Sequence, residues 1–183
     1  ENRMVGIITI DDVMDIMEEE ATEDIEKMAA IVPSDKTYFK TSILQTYKNR
    51  MPWLLILMVS ATFTGAIITS YENALSSYVI LTAYIPMLMD TGGNAGSQAS
   101  VSVIRGLSLD EIQFKDLPRA LWKEIRVAVM CGLTLATANF LKLLLLDRLP
   151  VEIALIVCLT LVIVVVFAKT IGCCLPLVAA KIH

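Results

Sequence analysis

From residue 73 to residue 104 the chain carries one charge, Asp90, in 32 residues. As a single straight helix this run would measure about 48 Å, well beyond a hydrocarbon core of ~30 Å. It must tilt, kink or break, and Pro86 with the Gly92-Gly93 pair supplies the places. Its centre, YIPMLMDTGGNAGSQASVSVIR over residues 84–105, also holds an acid, an amide pair, small hydroxyls and three glycines. A lipid-facing helix has no use for such groups. Polar atoms at membrane depth are tolerated where they line a cavity or are buried in protein, so the run reads as a site inside a membrane domain.

Three further runs support that class, and the 56% apolar composition exceeds what soluble domains usually show. Residues 53–70 are 18 without a charge, about 27 Å as helix, opened by Pro52 and an interfacial Trp53. Their Ser60, Thr62, Thr64 and Gly65 suit helix packing. Residues 127–146 hold only Lys142, close enough to the end to snorkel. Residues 153–180 are apolar apart from Lys169, with Pro176 as a place to kink. The expected spans are thus about 53–70, 74–104 (kinked), 127–146 and 153–180. Lys and Arg number four before the first span and five from Arg105 to Arg126, against none after the first span and Arg148 alone after the third. That bias places the N-terminus and the second loop in the cytoplasm.

The N-terminal part has a different chemistry. VGIITI at residues 5–10 is β-branched around a glycine and reads as a short buried strand. Asp11 is the expected N-cap of a helix running to about Ala30, with Met14, Met17, Ala21, Ile25 and Met28 on one face. Nine of the 19 acids fall between Asp11 and Glu26. Crowded carboxylates repel at i,i+4, so this is either a solvated surface or one that gains from a hard cation or a basic partner. Pro33 closes the helix, and residues 34–50 turn basic through Lys36, Lys40, Lys48 and Arg50, with helix expected from about Thr41.

Asp90 is the one carboxylate deep in a span. It either pairs with Lys142 or Lys169 to orient helices, or joins Gly93, Asn94 and Ser97 in a functional site, with Gln98 and Ser100 adding neutral oxygens. In the second reading Gly92-Gly93 releases the backbone from helical geometry. A weakly charged, all-oxygen site suits Mg²⁺ held through its water shell better than zinc or copper. A phosphate cradle is disfavoured, since GxxxxGK[ST] spacing is missing. Cys131, Cys158, Cys173 and Cys174 lie in apolar sequence without ligand spacing and read as small packing residues. The one histidine is at the C-terminus and no nucleophile–base pair is present, so an enzyme is not expected.

PMLMDTGGNAGSQAS, followed by VIRGL, closely resembles the second-span signature of the MgtE family of magnesium channels, Pro-x₅-Gly-Gly-Asn-x-Gly-x-Gln as it stands here. GIITIDDVMDIMEEEATEDIEKM is similar to the end of a cystathionine-β-synthase (CBS) domain entering that family's connecting helix. The resemblance implies an all-α transmembrane helical bundle, with four of five expected spans, preceded by the terminal strand-helix of a CBS domain. Its parts would be residues 1–31 (CBS end with acidic helix), 32–51 (connecting or plug helix) and 52–183 (transmembrane domain, ending before a fifth span that carries the pore's key aspartate). It further implies a homodimeric, Mg²⁺-selective, multi-pass inner-membrane channel that binds no nucleic acid and is closed by cytoplasmic Mg²⁺. Carried across, Asp12, Asp15, Glu20, Glu23 and Asp24 would be regulatory acids, and Gly93, Asn94 and Ser97 would line the pore. Asp90 joins that list from its chemistry. Mg²⁺ would be both substrate and regulatory ligand, and the fragment alone would not be expected to conduct. An ion-coupled carrier of divalent cations and a non-transporting Mg²⁺ sensor are the rival classes.

Overall fold

The computed structural model describes residues 6–34 and 38–182. The chain divides into two units, residues 1–72 and 73–183.

The first unit contains α1 (Ile10–Met28) and α2 (Ile43–Ser70). Thr9, not Asp11, caps α1: its hydroxyl accepts from Asp12 N, while the Asp12 carboxylate accepts from Thr9 N at 2.9 Å and from the Thr9 hydroxyl at 2.6 Å. This reciprocal capping box starts the helix earlier than expected. The expected strand is not formed in its described part. Residues 6–9 are irregular and Ile10 is helical; Val5 lies outside the described residues. A strand needs a neighbour for its ladder bonds, and no strand occurs among the described residues.

Helix α1 ends at Met28, ahead of Pro33. Ala30 turns left-handed at φ 54°, and Ile31 N donates to Glu26 O at 2.9 Å, which closes the last turn. The chain then returns to α2, where Val32 N donates to Asn49 O at 3.1 Å and the buried Asn49 side chain accepts from Gln45 Nε2 at 2.9 Å. Ser42 caps α2, which passes through Pro52 without interruption. Its 28 residues measure about 42 Å, so the end of the basic connector, with Lys48 and Arg50, and the first apolar run form one rod longer than a bilayer core.

The second unit opens with the short helix α3 (Glu72–Ser76) and a 3₁₀ turn at Val79–Tyr84. Helices α4 (Ile85–Ser108), α5 (Leu117–Leu145) and α6 (Val151–Ile182) complete it. The long second run does break, but upstream of the expected places. Pro86 sits in the first turn of α4, where its missing N–H costs nothing, and Gly92-Gly93 lies within unbroken α-helix. Helix α5 starts well before the expected span, and α6 continues through Pro176.

Helix α6 is the post against which α4 and α5 pack. It contributes to three buried clusters in turn. Ala154, Val157 and Cys158 meet Tyr84 and Leu143; Leu161 and Val165 meet Ala95 and Ala128; Cys173 and Leu177 meet Val103. All four cysteines are free, and Cys158 and Cys173 are core residues as expected of packing groups. Among the described residues three helices, α2, α5 (with the 3₁₀ turn before it) and α6, are long and apolar enough to cross a membrane. Helix α4, at about 36 Å, is long enough but carries a polar stripe.

Candidate functional site

Helix α4 has two unlike faces, and the spacing of its small residues decides which is which. Gly92, Ala95, Ala99, Val103 and Gly106 recur every three or four residues and are buried. All but Gly106, which packs against Ile112, lie toward α6 and let the two helices approach. A Cβ on Gly172 would stand 2.2 Å from Gly96 O, and one on Gly96 would stand 3.1 Å from Ala168 O. A Cβ on Gly92 would meet Val164 Cγ1 at 2.7 Å. Glycine serves close approach here and keeps its helical geometry.

The opposite face carries Asp90, Gly93, Asn94 and Ser97, all exposed. At 100° per residue they fall within a sector of about 100°, so the unbroken helix brings all four predicted residues onto one stripe. Asn94 Nδ2 donates to Asp90 O at 3.0 Å and to Asp90 Oδ1 at 3.1 Å, which leaves both groups' remaining oxygens open to the outside. A Cβ on Gly93 would meet nothing within 4 Å. This stripe is a strip of oxygens with room before it, on a helix whose other side is fully packed.

Neither lysine considered as a partner for Asp90 reaches it. Lys142 Nζ donates to Asp147 Oδ2 at 2.8 Å, and Tyr84 OH donates to the same oxygen at 2.9 Å. The Lys142 ammonium, then the Tyr84 hydroxyl, hold the Asp147 carboxyl below the usual carboxylate range. This cluster ties the start of α4 to the α5–α6 turn. Lys169 instead faces Glu124 Oε2 at 4.0 Å, with only 6% and 15% of the two side chains exposed. The Glu124–Lys169 pair is hidden from the sequence because it joins residues far apart in the chain, on different helices. One signal was available: Lys169 stands on the core stripe of α6, a helical turn from both Val165 and Cys173.

The regulatory candidates are distributed along α1. Asp12 is engaged by the cap, and the Thr9 hydroxyl and backbone N–H hold its carboxyl below the usual range. Glu23 pairs with Lys27, whose ammonium is pushed up by that partner. Asp15, Glu20 and Asp24 are exposed. Glu20, Glu23 and Asp24 are neighbours at helical spacing, whereas Asp12 and Asp15 lie about two turns away. No cluster of three or more acidic, cysteine or histidine ligands occurs among the described residues.

Comparison with known proteins matches residues 85–183 to the MgtE family model, described as a divalent cation transporter. The magnesium transporter MgtE of Thermus thermophilus is 35% identical over 182 residues, covering all of this chain and 40% of the relative. The magnesium transporter MgtE of Bacillus subtilis is 38% identical over 131 residues, covering 72% of this chain and 29% of the relative. The chain thus spans about two fifths of the length of the first of these. The matched segment takes in α4, with both its packed and its polar face, and the whole of α5 and α6: the chain belongs to the MgtE family of divalent cation transporters.

Proposed function

We propose that the chain forms part of a Mg²⁺ channel through which the hydrated ion flows passively down its electrochemical gradient. The observation that carries this reading is the exposed stripe Asp90–Gly93–Asn94–Ser97 on a helix otherwise packed against α6. Polar oxygens left open at membrane depth need water or protein opposite them. A second copy of the chain would supply that face, so the working unit is a homodimer with the path between two α4 stripes. One carboxylate per copy among neutral oxygens matches an ion that keeps its waters, and weak binding lets it leave again.

In this reading the spans sit in the bacterial inner membrane, with the basic connector and the N-terminus in the cytoplasm. The acids of α1, with Asp12, Asp15, Glu20, Glu23 and Asp24 as candidates, would bind cytoplasmic Mg²⁺ and favour a closed state. Their order along one helix, whose following segment is tied by the Val32–Asn49 hydrogen bond to a rod that continues into the first span, supports coupling between them. Full-length protein in liposomes tests the path. Asp90→Asn and Asn94→Ala are each expected to lower Mg²⁺ uptake roughly tenfold, at unchanged thermal stability in detergent. Wild-type uptake in both would sink the assignment. Uptake that requires a proton or Na⁺ gradient would replace the channel by a coupled carrier.

A further inference from the structure

The core stripe of α6 runs Ala154, Val157, Cys158, Leu161, Val165, Lys169, Cys173 and Leu177, and every member except Lys169 is apolar. The lysine is 5% exposed. Burying an ammonium costs several kcal/mol, and a tight carboxylate pair with further hydrogen bonds is the usual compensation. Here the compensation is slack. Glu124 Oε2 stands 4.0 Å away, beyond hydrogen-bond reach, and no hydrogen bond to Lys169 occurs among the described residues. No buried side-chain nitrogen among them is left unpartnered, so the stem of Lys169 is buried while its ammonium reaches the groove.

The two side chains open onto a groove of ≈ 530 Å³ that Ser97, Gln98 and Ser102 line from the α4 side. Ser97 also belongs to the outward stripe of α4, so the groove adjoins the proposed path. The Ser102 hydroxyl donates to Gln98 O at 2.8 Å, which commits its proton and leaves its oxygen as an acceptor. Six waters around a metal ion need about 180 Å³, so the groove admits a hydrated cation. The oxygens and the carboxylate match a hard cation. An anion would meet Glu124, and a soft metal would find no sulfur or imidazole among these groups.

We propose that Glu124, with the oxygens of Ser97, Gln98 and Ser102, is a second position for a hydrated divalent cation, and that the Lys169 ammonium is its built-in competitor. Lys169 occupies the position when no ion is present and yields to a doubly charged one. The loose 4.0 Å separation is what makes displacement cheap. This rests on the channel reading above, and it adds a site away from the Asp90 stripe.

The test is Mn²⁺ binding to the full-length protein, followed by electron paramagnetic resonance, alongside Mg²⁺ flux in liposomes. Lys169→Gln removes the competitor and is expected to tighten Mn²⁺ binding about tenfold at one added position per copy; Glu124→Gln/Lys169→Gln is expected to lose that gain. Should Lys169→Gln fold poorly, Lys169→Arg covers the case. Its planar fork grips a carboxylate at two points, so Mn²⁺ binding weakens and half-saturation of flux rises. The proposal is overturned if both Lys169 variants bind Mn²⁺ like wild type, or if the double variant keeps the gain. A wild-type protein that binds Mn²⁺ in this pattern but passes no Mg²⁺ would instead strike the channel reading.

Discussion

The two faces of α4 are built from similar residue types and meet opposite surroundings. Gly92, Gly96 and Ala99 are small so that α6 can approach, down to a Gly172 position with no space for a methyl group. Gly93 and Ser97, between them in sequence, are small and exposed, and Gly93 has open space where a Cβ would stand. Small residues alone therefore do not mark a path. What separates the faces is the company they keep: Val103 and Ala95 on one, Asp90 and Asn94 on the other. Packing holds the helix so that the polar stripe stays aligned, and that is how the packed face would serve the proposed path.

The packed face should be the more fragile. Gly172→Val brings a branched side chain against the α4 backbone, where Gly96 O lies 2.2 Å from the point its Cβ would take. No rotamer relieves a clash with backbone. The cost is expected at the top of the ~1–3 kcal/mol overpacking range or beyond it. Thermal unfolding in detergent should show a clear drop, with uptake lost alongside. A protein that keeps both stability and flux would break the claim that α6 sets the position of α4.

The cluster at the start of α4 should give a smaller effect. Tyr84→Phe removes one hydrogen bond to a carboxylate and is expected to cost about 1–2 kcal/mol. Acid provides a second handle. The folded-state pKa of Asp147 is depressed, so its contribution is present above the ordinary carboxylate value and disappears as pH falls through the folded value. Wild-type stability should therefore decline more steeply than that of Asp147→Asn below about pH 4, and the two should run parallel from about pH 5 to 8. Parallel curves down to about pH 3 would remove Asp147 as an anchor.

The apolar runs were legible because a charge-free stretch of about 18 residues is long enough to cross a bilayer and too apolar to face water. Helices α2, α5 and α6 follow them. The outward stripe was legible as a set of residues, but its geometry was not. Gly92-Gly93 has the composition of a backbone break, yet the close approach of Val164 and α6 accounts for Gly92, and the helix continues. Pro86 misleads in the same way, since a proline in the first turn begins a helix and does not bend it. The Lys142–Asp147 and Lys169–Glu124 pairs decide where both lysines go, and only the first is local in sequence. The strand before α1 was read from β-branched residues alone, which cannot say whether a neighbouring strand is there to receive it.

The finest separation of the two faces comes from adjacent glycines. Gly93 is helical with open space where a Cβ would stand, so Gly93→Ala removes the backbone-entropy cost of glycine and should stabilise by roughly 0.8 kcal/mol. The same methyl projects into the proposed path and should lower Mg²⁺ flux roughly twofold. Gly92→Ala should do the reverse on stability, because its methyl would meet Val164 Cγ1 at 2.7 Å, on a β-branched side chain with little freedom to move. Opposite signs from neighbouring identical substitutions would locate the boundary between packing and path to a single residue. If both variants lose stability, Gly93 also faces protein, and the stripe would have to be redrawn around Asp90, Asn94 and Ser97 alone.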